Sequence, residues 1–313
     1  MPQPTMLKKI ILYAVCLMAF SGRGNAEELW LRNIPLSALN RLYADVGYQG
    51  EKDYLMLDTL KYPPIFLKNF PAEFFAIEDE QQRNRMFIKI LAPLTLKLNQ
   101  DILAKRRNIE DIAKRSPTLL SLEDIAVLES ASKKYDIFSR LKGTERYNYL
   151  TKELLRRVDV IPPSVMITAA AIDTDFGASR ALKQGNSLYK ILNWNTAEGL
   201  KPIGDENAEY RLRTYPDIYA SLQDFAYRIN TSPNFEFFRI TREQTRAEAS
   251  TYRISGHQIA TYLFTNSELK NYAGVFDYTM SYYELPIIDR SLLDEQMVSS
   301  DIVRKYTKFK TAP

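Results

Sequence analysis

The sequence predicts a predominantly helical α+β fold with one small β-hairpin and a helical N-terminal extension. Three observations carry that expectation. Apolar residues recur at three- and four-residue steps through most of the chain, the spacing of an amphipathic helix. Helical segments follow one another through short links without strand–helix alternation, which argues against a doubly wound sheet. The stretch 193–215 breaks the pattern: turn formers at Asn193, Asn195, Gly199, Pro202 and Gly204 lead into an alternating run at 209–215.

The N-terminus has the three parts of a secretory signal. Lys8 and Lys9 form a basic region, 10–20 is an apolar run, and Gly24, Asn25 and Ala26 supply small residues for cleavage after Ala26. The apolar run is shorter than the roughly 20 residues that span a bilayer, so no stable membrane insertion is expected once it is removed. Removal takes Lys8, Lys9 and Arg23 and lowers the formal charge from +4 to +1. That balance does not suggest nucleic-acid binding. The one cysteine, Cys16, goes as well, so the remaining chain has neither disulfides nor thiolate metal sites. An exported, periplasmic location fits this composition.

Residues 27–80 look irregular. Tyr62-Pro63-Pro64-Ile65-Phe66 and Phe70-Pro71 mark an extended segment, since residues before proline avoid the helical region. Such a segment should lie across a helical body. From 80 to 115, Phe87, Ile90, Leu91, Leu94, Leu98, Ile102 and Ile109 keep helical spacing, with Pro93 expected to kink or split the run. Lys105, Arg106 and Arg107 are expected on its solvated face. Ser121 and Asp124 form a capping-box pattern for a helix through about residue 140. Gly143 breaks the chain, and Thr144 can cap the next helix through Val158. Pro162 and Pro163 suit a first helical turn, where a missing N–H costs nothing. Val165, Met166, Ala169, Ala170 and Ile172 follow, apolar almost all round, so this helix belongs in the centre. It delivers Asp173 into an acidic break closed by Asp175 and Gly177. A short helix at 178–184 stops at Gly185. Helices resume at Asp217, with two more at about 235–249 and 256–285. The tail from 286 to 313 shows few long-range signals and is expected to be loosely held. His257 is the one histidine, which excludes a His-rich metal centre and is best read as a surface or capping residue. No GxGxxG or GxxxxGK[ST] pattern occurs, and no cofactor is expected.

Several separated stretches resemble the Bax-like branch of the peptidoglycan glucosaminidase family, glycoside hydrolase family 73. They are Leu154-Leu155-Arg156-Arg157-Val158-Asp159-Val160-Ile161-Pro162-Pro163-Ser164, Phe176-Gly177-Ala178-Ser179-Arg180, Gly185-Asn186-Ser187-Leu188-Tyr189, Leu212-Arg213-Thr214-Tyr215 and Asn230-Thr231-Ser232-Pro233-Asn234-Phe235. Upstream, Tyr62-Pro63-Pro64-Ile65-Phe66-Leu67 and Leu91-Ala92-Pro93-Leu94 extend the likeness to about residues 60–285. The resemblance implies a lysozyme-like glucosaminidase domain at 144–285, after a signal at 1–26 and a helical N-terminal region at 27–143. It also implies a partner: peptidoglycan or another N-acetylglucosamine-containing glycan. The family carries its general acid as a glutamate in Ala-x-Glu-Ser-x-Trp-Gly-x-Ser-Arg. Here that glutamate is Asp173 and the tryptophan is Phe176. A family tyrosine falls on Asn266. Phe176, Asn186, Tyr189, Tyr215 and Asn266 are therefore expected at the substrate.

Glycosidic hydrolysis needs an acid to protonate the leaving oxygen and a second group on the other face of the sugar. An acid kept protonated near neutral pH needs burial, and the C-terminus of a buried helix supplies that together with a negative partial charge. Asp173 has this setting, though it reaches one methylene, about 1.5 Å, less far than glutamate. Candidate second carboxylates lie on the hairpin: Glu198, Asp205, Glu206 and Glu209. Tyr189, Trp194, Tyr210 and Tyr215 are candidates to stack on sugar rings. Three readings follow. One is a cell-wall hydrolase with Asp173 as its acid; a second is an inactive relative that binds glycan or an envelope partner; a third is an enzyme that uses Asp173 on a glycan other than peptidoglycan.

Overall fold

The computed structural model describes residues 28–48, 60–194, 198–205, 207–249, 253–264 and 270–312. The signal segment, Asn195, Glu206 and Asn266 lie outside the described residues. In chain order the elements are β1 (Leu29–Leu31), α1 (Leu36–Asp45), β2 (Lys61–Tyr62), β3 (Ile65–Leu67), α2 (Glu80–Ala113), α3 (Leu122–Lys134), α4 (Gly143–Arg157) and α5 (Pro163–Thr174). They continue with α6 (Arg180–Gly185), β4 (Leu192–Asn193), β5 (Arg211–Leu212), α7 (Ile218–Thr231), α8 (Glu236–Ala249), α9 (Gly256–Ile259), α10 (Lys270–Tyr282), β6 (Leu292–Leu293) and α11 (Ser300–Lys305). The fold is α+β and predominantly α, as the helical periodicity predicts.

The centre of the fold is α5. All but two of its residues are buried, and it packs against α2, α10 and the 3-10 turn Leu285–Arg290. Pro162 and Pro163 begin it as expected. The N–H of Ser164, which has no partner within the helix, donates to Asp289 Oδ1 at 2.9 Å. The Ser164 hydroxyl and the Gly256 N–H both donate to Asp289 Oδ2, each at 2.7 Å. One carboxylate thus ties the starts of α5 and α9 together. Gly256 is needed for this approach, because a Cβ there would sit 2.0 Å from Ser164 Oγ. Burial pushes the Asp289 carboxyl up to about 7.

The other end of α5 turns sharply. Asp175, Phe176 and Gly177 all have positive φ. Thr174 Oγ1 donates to the Ala170 carbonyl at 2.6 Å and accepts the Gly177 N–H at 3.0 Å. A Cβ on Gly177 would lie 2.6 Å from the Phe74 ring, so only glycine fits.

Helix α2 runs unbroken through Pro93, where the sequence predicts a kink or a split. Proline leaves the carbonyl four residues back without its helical donor. That carbonyl belongs to Lys89, and it accepts the Tyr48 hydroxyl at 3.0 Å. A side chain from the N-terminal segment therefore takes over the missing hydrogen bond. The same helix corrects the expectation for Arg106, which is buried rather than solvated. Arg106 Nη1 donates to the Val158 carbonyl at 3.2 Å and pairs with Asp159 Oδ2 at 3.3 Å. Asp159 also receives Arg246 Nε at 2.9 Å and lies 3.7 Å from Arg242 Nε. Arg242 is 0% exposed and donates to the Val160 carbonyl and to Asn230 Oδ1, both at 2.8 Å. Burial holds its guanidinium down at about 10. This knot joins α2, the α4–α5 link, α7 and α8.

Other expectations shift by local detail. The Ser121–Asp124 capping box is formed on both sides, but α3 ends at Lys134. Thr144 does not cap α4, whose N-cap is Lys142. The stretch read as irregular contains α1, which buries Ala38, Leu39, Leu42 and Tyr43. The helix expected at 256–285 is divided into α9, a 3-10 turn at Ala260–Leu263, and α10. The tail is not loose. β6 pairs in parallel with β2, Lys310 bridges to Leu31, and Ile288, Val298, Val303 and Tyr306 are buried. The extended 60–71 segment lies on the helical body through β3, which pairs with β1 and contacts α2. Among the described residues, no helix is long and apolar enough to cross a membrane.

Candidate active site

Asp173 sits in the last turn of α5, half-buried, where the central helix meets a cleft of about 660 Å³. Its Oδ2 accepts the backbone N–H of Lys190 at 3.0 Å, and its Oδ1 accepts the Tyr272 hydroxyl at 3.4 Å. Burial raises the proton affinity of the carboxyl. The Lys190 N–H, the Lys190 charge and the Tyr272 hydroxyl oppose that rise without cancelling it. The phenol of Tyr272 is raised in turn by burial and by the Asp173 carboxylate.

The Lys190 amide is aimed by the loop after α6. Asn186 takes a left-handed conformation at the end of α6, and its Nδ2 donates to the Tyr215 carbonyl at 3.1 Å. The Leu188 N–H donates to Ser221 Oγ at 3.0 Å, and Ser187 Oγ donates to the Tyr189 carbonyl at 2.9 Å. Tyr189 anchors the loop from within: its hydroxyl donates to the Met166 carbonyl at 3.2 Å and its ring stacks on Phe225 at 3.9 Å. The Gly185-Asn186-Ser187-Leu188-Tyr189 motif thus serves to hold a backbone donor against the acid.

The hairpin forms the neighbouring wall. β4 and β5 pair antiparallel, with Leu200 bridging to Leu212, as the 193–215 pattern predicts. Leu192, Asn193, Trp194 and Arg213 line the cleft from this side, and Phe225, Arg228 and Ile229 line it from α7. Ser232, Asn234 and Phe235 complete it from the turn after α7. Trp194 is 68% exposed, with Tyr210 5.7 Å away, which leaves an aromatic surface open to solvent.

The site residues expected from sequence separate into distinct places. Asp173 and Trp194 reach the cleft together. Tyr189 borders it but is 2% exposed, so it supports the wall from inside rather than offering a stacking face. Phe176 is turned away by its left-handed backbone and packs on Phe87 and Tyr283, 6.0 and 4.8 Å away. Asn186 is a helix cap. Tyr215 lies behind the lining and donates its hydroxyl to Asp224 Oδ2 at 2.6 Å. Glu198 and Glu209 are exposed and outside the lining, so neither faces Asp173 across the cleft; Asp205 is exposed too. Glu206 and Asn266 fall outside the described residues. Among the described residues, Asp173 is the one carboxylate that lines the cleft. Also among these residues, no group of three or more His, Cys, Asp or Glu is gathered to hold a metal ion. Sequence reasoning missed Tyr272, the side chain that contacts the acid. It lies 99 positions along the chain from Asp173, and no local pattern marks it.

Residues 149–284 match the family described as mannosyl-glycoprotein endo-beta-N-acetylglucosaminidase, so the chain carries a glucosaminidase domain. The chain is also similar to Protein bax of Escherichia coli (strain K12), 26% identical over 187 residues. That alignment covers 56% of this chain and 63% of the relative, so the chain spans less than two thirds of the relative's length. No solved structure matches the chain.

Proposed function

We propose that this protein is an exported, periplasmic glycoside hydrolase that cleaves β-N-acetylglucosaminyl bonds in peptidoglycan, with Asp173 as general acid. The observation that carries the proposal is the Asp173 carboxyl, whose proton affinity is raised by burial at the end of α5 where it opens onto the cleft. A protonated Asp173 donates its proton to the leaving glycosidic oxygen as the bond to the anomeric carbon breaks, and a water oxygen bonds to that carbon and releases its proton to solvent. Trp194 offers a stacking face for a sugar of the bound strand. Tyr272 and the Lys190 amide fix the carboxyl and stabilise the carboxylate that remains after proton transfer.

One feature favours a second reading, a non-catalytic glycan-binding protein. The aspartate already accepts hydrogen bonds from both of those donors and reaches one methylene less far than the family's glutamate. Release of reducing ends from purified peptidoglycan separates the two. The hydrolase reading expects product from wild type and none from Asp173→Asn, with glycan binding retained in both. Binding without product in wild type, beside an active relative that digests the same sample, would establish the second reading. Glu206→Gln tests the remaining hairpin candidate for the group on the opposite face of the sugar. The exported location is tested by N-terminal sequencing of periplasmic material, with Glu27 expected first.

A further inference from the structure

The loop 135–142, which joins α3 to α4, carries apolar and basic side chains that the cleft does not use. Tyr135 and Ile137 are buried, while Phe138 is 82% exposed and Leu141 43%. The backbone that presents Phe138 is held at three points. Arg157 Nη1 donates to the Tyr135 carbonyl at 2.9 Å and Arg146 Nη1 to the Ser139 carbonyl at 2.7 Å. The Tyr227 hydroxyl donates to Asp136 Oδ2 at 2.8 Å. Buried anchors and this clamp together keep the Phe138 ring in water, although burial of such a ring is strongly favourable.

Four exposed cations flank the two apolar side chains: Lys133 and Lys134 at the end of α3, and Arg140 and Lys142 in the loop. Among the described residues, none of the four forms an ion pair. The carboxylate within the loop, Asp136, is held by Tyr227. Lys134 even crowds another cation: burial lowers the proton affinity of Lys105, the Lys134 charge lowers it further, and Asp101 opposes both. A free phosphate or an acidic protein would answer this charge and leave Phe138 in water. A bilayer surface with anionic headgroups answers both features, because phosphates meet the cations while an aromatic ring enters the interfacial layer. We propose that residues 138–142 form a docking loop for an anionic lipid surface, with Phe138 as the inserting side chain. Among the described residues no helix can cross a membrane, so this contact is peripheral. Arg157 also donates to the Thr231 carbonyl at 3.3 Å, which fastens the loop to the end of α7, beside cleft residues Arg228 and Ile229. Docking through Phe138 therefore sets the height of the cleft above the lipid, whatever chemistry Asp173 performs.

The test is cosedimentation of the full exported chain with lipid vesicles, phosphatidylcholine alone or mixed with phosphatidylglycerol. Wild type is expected to bind the anionic vesicles at least about tenfold more tightly than the neutral ones in low salt, with the margin shrinking as salt rises. Phe138→Ser should lower affinity for the anionic vesicles by about tenfold. Arg140→Gln with Lys142→Gln should lower it by about twentyfold, since each cation near such a surface contributes about fivefold. Leu122 serves as the control: it is 87% exposed but stands beside Glu123, and Leu122→Ser should leave binding unchanged. These side chains are all exposed, so every variant should melt at the wild-type temperature. Phe138→Trp should gain a blue-shifted emission on anionic vesicles that wild type lacks. Equal wild-type binding to both vesicles would overturn the docking loop. A Phe138→Ser variant with full affinity would overturn it too. Soluble polyglutamate bound as tightly as the anionic vesicles would assign the cations to an acidic protein instead.

Discussion

Replacing Asp173 by glutamate lengthens the acid by one methylene, about 1.5 Å. In wild type the carboxyl accepts the Lys190 N–H at 3.0 Å and the Tyr272 hydroxyl at 3.4 Å. A longer side chain is expected to carry the carboxyl off these donors and to extend its reach. Both donors favour the ionised form, so leaving them also helps the acid keep its proton. A misplacement near 1 Å costs about 10²-fold in rate. Asp173→Glu is therefore expected to raise turnover by up to about 10²-fold, equivalent to about 2.7 kcal/mol of barrier. Asp173→Asn keeps the shape without the acidic proton and should fall to background. Reducing ends released from purified peptidoglycan give the rates. A glutamate variant no faster than a measurable wild type would refute the reach argument. Product that persists in Asp173→Asn would refute the residue assignment.

Tyr272→Phe removes a donor that stabilises ionised Asp173, so the acid should hold its proton to higher pH and the alkaline limb of the pH–rate profile should move upward; an unmoved limb would show that the phenol does not act on the acid. Asp159→Asn leaves Arg242, Arg246 and Arg106 without their shared anion, and urea unfolding should report a loss of about 3–5 kcal/mol. The folded-state proton affinity of Asp289 is raised to about 7 from 3.8, so its stabilising contribution is complete below about pH 4 and lost as pH rises through 7. Melting temperatures should accordingly fall across that window in wild type and fall less steeply in Asp289→Asn; parallel curves would contradict this.

What the sequence made legible was local. The start of α2, the capping box of α3, the prolines opening α5 and the hairpin are each written in a few adjacent residues, and each forms. The buried state of Arg106 was not legible, because its partners at Val158 and Asp159 lie about fifty positions away. The continuity of α2 through Pro93 depends on Tyr48, and the order of the tail depends on pairings only two residues long, too short to show a period. At the site, the sequence placed Asp173 at the end of the central helix and Trp194 beside the hairpin, and both line the cleft. Phe176, Asn186 and Tyr215 were not placed correctly, since a motif records that a residue is needed without recording whether substrate or backbone needs it. Each of these three supports the wall or the turn instead.

The carboxylate that completes the start of α5 belongs to Asp289, which lies beyond the 149–284 stretch matched by the glucosaminidase family. A chain made from its N-terminus presents α5 and its acid long before residue 289 exists. Until then the Ser164 and Gly256 amides lack their acceptor, and the apolar surface of α5 lacks the 285–290 turn that covers it. The 285–290 turn thus closes the start of the helix that bears Asp173, and a nascent chain that has not reached it leaves that apolar surface uncovered. A fragment cut at the family boundary would lack that closure, and with it the pairing of β6 with β2 and the bridge from Lys310 to Leu31.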